Sequence, residues 1–216
     1  MRSLIAGAMA LALLGAEGAR ADETAERYVA QNAAQAIKVL DAAAPGKERS
    51  AKFAALMDQF ADLPAIAEFV LGAYARPLRT DPALKAEWNA AYRSYAMASY
   101  EQNFGDLHGS LVRVTGSRDS QMNGRSCSRV SSTMTMASST PQQFYWYLCR
   151  AASDVDWKVT DVSMVAGDSE IKLAITQRDQ FVAFLGANGG DVRKLIARLN
   201  AQVTTMGKRP SHSKRA

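Results

Sequence analysis

The spacing of apolar residues changes near the middle of the chain and changes back before its end. Up to about residue 105, apolar residues recur every three or four positions, as they do on one face of a helix. From Gly109 to about residue 165 they alternate, as they do on a half-buried strand, and after about residue 177 the helical spacing returns. Helices, then consecutive strands, then helices indicate an α+β fold.

The predicted strands are joined by short connections rich in Ser, Gly, Asn and Pro, so we expect an antiparallel meander. Helices should cover one face of this sheet, with either a core or a cavity between the two layers. The stretch 171–175 is either a fifth strand or an extended lead into the next helix. The predicted helices cover 24–42, 47–61, 62–76, 80–105, 177–187 and 191–206, and the predicted strands cover 109–117, 126–137, 142–153 and 155–165.

The first 21 residues have the three parts of a secretory signal peptide. Arg2 supplies a positive start, Leu4–Leu14 is a short uncharged apolar run, and Ala19-Arg20-Ala21 fits the small-x-small cleavage rule. A membrane anchor is the alternative, but spanning a bilayer takes about 20 apolar residues and this run is shorter. We therefore predict cleavage before Asp22, export across a membrane and one mature domain over 22–206.

The net charge of +5 is concentrated at the chain ends. Lys208, Arg209, Lys214 and Arg215 lie close to the last residue, and two further arginines leave with the predicted signal. The folded body is therefore close to neutral, which argues against a nucleic-acid partner, because such proteins carry a basic stripe on the fold itself. Residues 207–216 are predicted to form a basic, disordered tail.

The two cysteines, Cys127 and Cys149, lie on neighbouring predicted strands. If they are directly opposed on antiparallel strands, the turn falls near residue 138 and their Cα atoms are within disulfide reach. Because an exported protein meets an oxidising compartment, we predict a structural disulfide that closes a loop of about 22 residues and contributes ~3 kcal/mol. Two free buried thiols are the alternative.

Residue types that carry catalysis or bind metals are few and scattered. The two histidines, His108 and His212, lie in a predicted turn and in the basic tail, without partners at the spacing of a catalytic triad or a metal site. Asp154 and Asp156 alternate with apolar residues, as on the solvated face of a strand. We predict no enzymatic activity, no metal site and no cofactor, while catalysis by carboxylates alone stays open as the less favoured alternative.

Four segments follow one another in a characteristic order and spacing within residues 24–203. Through the order and spacing of these segments, the chain resembles the MlaC, or toluene-tolerance, family of periplasmic phospholipid carriers. It departs from the family at Glu170-Ile171-Lys172, where a Gly-x-Ser sequence is usual. The four segments are Ile66–Tyr74, the following helix with Trp88, Tyr92, Tyr95 and Tyr100, the strand Trp157–Val162, and Leu173–Phe181 with Asn188-Gly189-Gly190 after it.

The resemblance implies a soluble, monomeric shuttle that carries phospholipid between membranes as part of an ABC transport system. It implies transient docking to an inner-membrane ABC transporter complex and to an outer-membrane lipoprotein complex, in a system that maintains outer-membrane lipid asymmetry. Some relatives are associated with hopanoid-making gene clusters, so a hopanoid is an alternative cargo. The expected fold has helices packed on a curved antiparallel meander of four to five strands (an NTF2-like cone), with an apolar cavity between the layers.

A lipid carrier needs an apolar cavity more than a constellation of polar groups, because each buried CH₂ contributes about 0.8 kcal/mol. A helical stripe does not distinguish such a cavity wall from ordinary core, so both interpretations stay open for each residue. The predicted lipid-binding wall consists of Ile66, Val70, Tyr74, Tyr92, Tyr95, Ser99, Met134, Trp146, Val159 and Met164.

Two other functions stay open at this point. One is a non-catalytic structural or interaction protein of the cell envelope with a filled core. The other is a small-molecule enzyme that uses the same cone. A cavity with co-purifying lipid would favour the carrier, and a polar cavity lined by carboxylates would favour the enzyme.

Overall fold

The computed structural model describes most of the chain between residues 23 and 207. The predicted signal peptide, the predicted tail from residue 208 and the predicted turn near residue 138 lie outside the described residues. No helix in the described part is both long enough and apolar enough to cross a membrane. The described residues are 23–42, 46–104, 110–135, 140–150 and 156–207.

Six α-helices, one 3₁₀ helix and a five-stranded antiparallel sheet make up these residues, which confirms the predicted α+β fold. The strands follow one another across the sheet in chain order, each paired with the next. The helices are α1 (Glu23–Ala42), α2 (Lys47–Phe60), α3 (Leu63–Leu71), the 3₁₀ helix (Gly72–Arg79), α4 (Pro82–Phe104), α5 (Leu173–Ala187) and α6 (Val192–Met206). The strands are β1 (Leu111–Met122), β2 (Arg125–Thr135), β3 (Gln142–Arg150), β4 (Lys158–Ala166) and β5 (Ser169–Lys172).

The predicted third helix was wrong beyond Leu71, because the chain continues there as a 3₁₀ helix that runs through Pro77. Gly72 marks the change, with φ of 55°, a backbone conformation that L side chains rarely adopt. A Cβ at this position would also lie 3.2 Å from Val182 and 3.3 Å from the Nε atom of Arg178, both on α5. Glycine therefore lets the chain turn and lets α5 approach it closely.

The predicted end of the first strand, at residue 117, was also wrong. Strand β1 continues to Met122 and is joined to β2 by the two-residue turn Asn123-Gly124. Both turn residues have positive φ, 51° and 74°. This is the geometry of the turn whose twist matches two paired antiparallel strands, and Asn-Gly is its preferred sequence.

The disulfide prediction is confirmed. Cys127 lies opposite Cys149 in the β2–β3 ladder, and the two residues are joined by a disulfide with their Cα atoms 4.1 Å apart. The predicted register of this strand pair is therefore the observed one. Both cysteines are buried, and neither lines the cavity described below.

Large side chains from the last three α-helices form a closely packed region, which we call the filled core. The Trp88 indole N–H donates a hydrogen bond to the carbonyl oxygen of Ala67 at 2.8 Å, and the Trp88 ring meets Phe181 edge-on. The buried indole is therefore fully satisfied, as an aromatic N–H in a dry core requires. The filled core consists of Trp88, Phe181, Leu185, Leu195 and Leu199, each no more than 5% exposed.

Candidate functional site

An apolar cavity lies between the helices and the sheet. Its volume is about 90 Å³, well below the roughly 300–1,000 Å³ of typical small-molecule sites. The walls of the cavity therefore stand close together. The apolar lining residues are Ala33, Ala36, Ile37, Leu40, Phe53, Leu56, Met57, Phe60, Ala61, Ile66, Val112, Met134, Phe144, Trp146, Val159, Val162, Leu173 and Ala174.

Helix α1 contributes a small-residue wall. Its lining positions, Ala33, Ala36, Ile37 and Leu40, recur at helical spacing and therefore share one face. At two of these positions the side chain is a single methyl group, so α1 leaves space between itself and the layer opposite. Helix α2 adds a second wall at the same spacing, with larger side chains.

A β-bulge in β4 brings consecutive residues to the cavity. Leu148 of β3 pairs with Val159 and Tyr147 pairs with Asp161, which leaves Thr160 as the extra residue. A regular strand would send alternate side chains to opposite faces, whereas a bulge redirects them and bends the strand. As a result, all four residues from Val159 to Val162 line the cavity.

A small polar cluster, Tyr92, Tyr100, Asp161 and Gln177, lies within this apolar lining. The Tyr92 hydroxyl donates to the Oε1 atom of Gln177 at 2.8 Å. The Asp161 Oδ1 atom accepts from the backbone N–H of Val162 at 2.8 Å and from that of Ala174 at 2.9 Å. Asp161 therefore caps the first turn of α5 from a neighbouring strand.

Burial controls the protonation of this polar cluster. It raises the pKa of Tyr100 to about 12 and the pKa of Tyr92 well above its usual value, and the negative charge of Asp161 raises both further. Burial also raises the pKa of Asp161, against the lowering effect of its two backbone hydrogen bonds. The tyrosines therefore remain neutral at neutral pH, and the cluster offers hydroxyl and amide groups with a single acidic residue.

Half of the ten predicted wall residues line the cavity. The structure brings together Ile66, Tyr92, Met134, Trp146 and Val159 around it. The Trp146 indole N–H donates to the Ser132 hydroxyl at 2.8 Å, so this ring presents a satisfied polar edge and an apolar face. A role of these five residues in lipid binding stays a prediction.

The other five predicted wall residues lie elsewhere. Tyr95 packs edge-on against Phe181, with ring centroids 5.8 Å apart, and the Ser99 hydroxyl is 3.9 Å from the Sδ atom of Met206 on α6. Tyr74 packs against the turn between α5 and α6. Val70 is fully buried in the main hydrophobic cluster, and Met164 packs against the smaller cluster that contains Met134 and Phe144.

The walls supplied by α1 and α2 were missing from the predicted site. Both helices have a regular apolar stripe, but a stripe alone predicts only a buried face. The available signal was the pair of alanines, Ala33 and Ala36, on a stripe that also carries Ile37 and Leu40. Small residues in the middle of an otherwise large-residue stripe indicate space that the helix does not fill.

No cluster of three or more His, Cys, Asp or Glu side chains in the described part of the chain is placed to hold a metal ion. The polar cluster contains a single carboxylate, and that carboxylate already accepts two backbone hydrogen bonds. The arrangement is therefore better suited to enclosing an apolar group than to proton transfer or metal chemistry.

Comparison with known proteins identifies a family and a related fold. The model of the MlaC protein family matches residues 28–201. The solved structure of a phospholipid-binding protein from Ralstonia solanacearum, in complex with a phospholipid, superposes with a TM-score of 0.67 at 15% sequence identity, covering 85% of this chain and 99% of that one. At 15% sequence identity, this superposition shows that the two proteins share a fold. No curated protein gives a significant match to this chain.

Proposed function

Because the chain belongs to the MlaC protein family, as the four sequence segments predicted, we propose that it binds a phospholipid in the cavity between its helices and its sheet. One observation carries the proposal: side chains from both layers enclose a cavity whose lining is almost wholly apolar. The related Ralstonia solanacearum protein, which has the same fold and is described as phospholipid-binding, gives further support.

The cavity suits acyl chains for a simple energetic reason. Each CH₂ group transferred from water contributes about 0.8 kcal/mol, so a few tens of methylenes would hold a lipid firmly without a precise polar contact. The walls stand close together, so a pair of chains has to move them apart. Met57 and Met134 lie in the lining, and the unbranched methionine side chain adapts readily to a new shape.

In this role the protein is a monomeric periplasmic shuttle, exported through its predicted signal peptide. It carries its lipid between an inner-membrane ABC transporter complex and an outer-membrane lipoprotein complex, and it docks to each transiently. Family membership supports this transport role. A hopanoid is the alternative cargo, since the lining of the cavity is almost wholly apolar.

Neither of the two alternative functions has an observation in its favour. A purely structural protein with a filled core does not need the gap that Ala33 and Ala36 leave in the α1 wall. An enzyme would need an available acid or base, and Asp161, the carboxylate among the lining residues, already accepts backbone N–H groups.

Native mass spectrometry tests the proposal directly. The mature chain, beginning at Asp22, is purified from the periplasm without detergent. The expected result is a discrete added mass that solvent extraction identifies as phospholipid. A clean protein mass, with no uptake when phospholipid vesicles are offered, would contradict the proposal.

A cavity-filling variant links binding to this cavity. Ala36→Phe places a ring in the lining, whereas Ala34→Phe adds the same ring at an exposed position on the same helix. We expect Ala36→Phe to weaken phospholipid binding by about tenfold, or about 1.4 kcal/mol, and Ala34→Phe to leave it unchanged. Equal binding by both variants, each checked for folding by its thermal transition, would place the lipid elsewhere.

A further inference from the structure

Strand β1 turns one face towards the helices and the other away from them. On the first face, Val114 packs against the main hydrophobic cluster, and the Ser117 hydroxyl donates a hydrogen bond to Glu26 of α1 at 2.8 Å. Because neighbouring side chains of a strand point to opposite sides, Arg113 and Arg118 lie on the second face. We call this second face, across the whole sheet, the outer face.

Two arginines stand directly opposite each other on the outer face. Arg118 of β1 is the cross-strand partner of Arg129 of β2. The Cζ atom of Arg129 lies 3.7 Å from the centre of the Tyr145 ring, and its Nη2 atom lies 3.9 Å from the Oε2 atom of Glu170. Like charges in directly opposed positions destabilise a sheet, so an anion that approaches this face would relieve the repulsion.

The positive charge of the outer face is available to a partner. Tyr147 is the cross-strand partner of Arg129, and the Nζ atom of Lys172 lies 4.4 Å from the centre of its ring, which adds a further cation to the same face. Arg113 and Arg118 are both exposed. Within the described ranges of the chain, neither of these two arginines forms a salt bridge.

Large apolar side chains lie exposed at both ends of β1. Leu111 is 62% exposed and Met122 is 55% exposed, and both alternate in step with the arginines between them. Surfaces that lie on membranes combine such side chains, because apolar groups enter the interfacial layer while cations approach the lipid phosphates. A bilayer of anionic lipid therefore fits both kinds of side chain at once, whereas an acidic protein matches the cations.

We propose that the outer face of the sheet docks on the surface of an anionic phospholipid bilayer. Arg113 and Arg118 contact lipid phosphates, and Leu111 and Met122 enter the interfacial layer. This inference goes beyond the proposed function, in which the protein docks to protein complexes. The cavity lies on the opposite side of the sheet, between the sheet and the helices, so docking does not require a lipid in the cavity.

Co-sedimentation of the mature protein with vesicles tests this proposal. The vesicles consist of phosphatidylcholine, with or without phosphatidylglycerol. We expect sedimentation with the phosphatidylglycerol vesicles only, and less of it at high salt, because salt screens the attraction. The double variant Arg113→Gln/Arg118→Gln should bind these vesicles about tenfold more weakly. The matched control is Arg76→Gln/Arg79→Gln, which removes the same charge from exposed positions of the 3₁₀ helix and should bind normally.

Three outcomes would overturn the membrane assignment. Equal losses in the two double variants would indicate attraction by net charge alone. Failure of the unaltered protein to sediment with phosphatidylglycerol vesicles would exclude docking, while lipid uptake, measured separately by native mass spectrometry, would still test the proposed function. Binding to polyglutamate that depends on Arg113 and Arg118, without binding to vesicles, would identify an acidic protein as the partner of the outer face.

The apolar side chains provide an independent measurement. Leu111→Gln should weaken binding to phosphatidylglycerol vesicles several-fold without changing its salt dependence, because it removes apolar contact and no charge. Ile175→Gln is the control, since Ile175 is 42% exposed on α5, in the helical layer. Unchanged binding by Leu111→Gln and by the Arg113→Gln/Arg118→Gln variant would overturn the proposal.

The cavity-filling variant separates docking from lipid uptake. Ala36→Phe changes the cavity lining and leaves the outer face unaltered, so it should bind phosphatidylglycerol vesicles as the unaltered protein does. Loss of vesicle binding in this variant would mean that the cavity, and not the outer face, holds the protein at the membrane. Vesicle binding by the unaltered protein without any lipid uptake would support docking and contradict the proposed function.

Discussion

Helix α4 separates two regions that are built from the same kinds of residues but are packed differently. Towards α5, Trp88 and Tyr95 both contact Phe181, with ring centroids 6.1 and 5.8 Å apart. Towards the sheet, Tyr92 and Tyr100 border the cavity. Large aromatic side chains therefore fill space on one side of α4 and enclose it on the other.

The difference between the two regions comes from the layer opposite α4. In the filled core, α6 contributes Leu195 and Leu199, both fully buried. In the cavity lining, α1 contributes Ala33 and Ala36, whose side chains are single methyl groups. A cavity is therefore a property of two facing walls, and neither wall specifies it alone.

Matched leucine truncations on the two sides should give the largest contrast in stability. Leu199→Ala removes a fully buried side chain from the filled core and should lower the free energy of unfolding by roughly 3–5 kcal/mol. Leu56→Ala should cost only roughly 1–2 kcal/mol, because Leu56 borders the cavity and has fewer partner atoms to lose. Urea denaturation measures both values.

Phospholipid binding provides the reverse comparison for the same two variants. Leu56→Ala should alter it, whereas Leu199→Ala should leave it unchanged at temperatures where the variant is folded. Equal losses of stability in the two variants would mean that the cavity wall is as tightly packed as the filled core, and the contrast between the two regions would then be untenable.

The disulfide should affect stability without affecting binding. Replacing Cys127 and Cys149 together by serine opens a loop with a sequence separation of 22, and we expect the free energy of unfolding to fall by ~3 kcal/mol. Neither cysteine lines the cavity, so lipid affinity at a temperature well below the unfolding transition should be unchanged. Denaturation under oxidising and reducing conditions measures the first effect, and a weakened lipid affinity would contradict the second.

The sequence predicted the features that depend on local patterns or on one strong constraint. Alternation predicted the strands, three- and four-residue spacing predicted the helices, and the cysteines predicted the β2–β3 register. The errors came from information that is not local. Helix α5 begins at Leu173, earlier than its own sequence predicts, and the side chain that caps its first turn is Asp161, on a different element.

Only half of the predicted wall residues line the cavity, and the reason is again that the deciding contacts are not local. The stripe of α4 is continuous from Tyr92 to Tyr100, but its surface is divided between α5 and α6 on one side and the cavity on the other. Tyr95 and Ser99 belong to the first side. Deciding which residue borders the cavity requires the positions of the opposing helices, and those positions are set by long-range contacts.

The smallest expected effect concerns the polar cluster, and it tests whether that cluster stabilises the fold as the filled core does. Asp161→Asn keeps an oxygen that can accept the backbone N–H groups of Val162 and Ala174, but it removes the buried negative charge. Because burial raises the pKa of Asp161 above its ordinary 3.8, the folded protein holds this proton more tightly than the unfolded chain does. The stabilisation that protonated Asp161 provides is full below the ordinary value and is lost as the pH rises through the raised pKa.

The variant lacks this titration, so its stability relative to the unaltered protein should increase from about pH 3.5 to about pH 7. Urea denaturation of both proteins at the two pH values gives the difference, in which the titration of other groups cancels. A difference that does not change with pH would mean that Asp161 is solvated, and one that changes in the opposite direction would mean that its charge stabilises the fold. The first result would move Asp161 from the enclosed lining of the cavity to its wet edge, and the second would mean that its two backbone hydrogen bonds outweigh its burial.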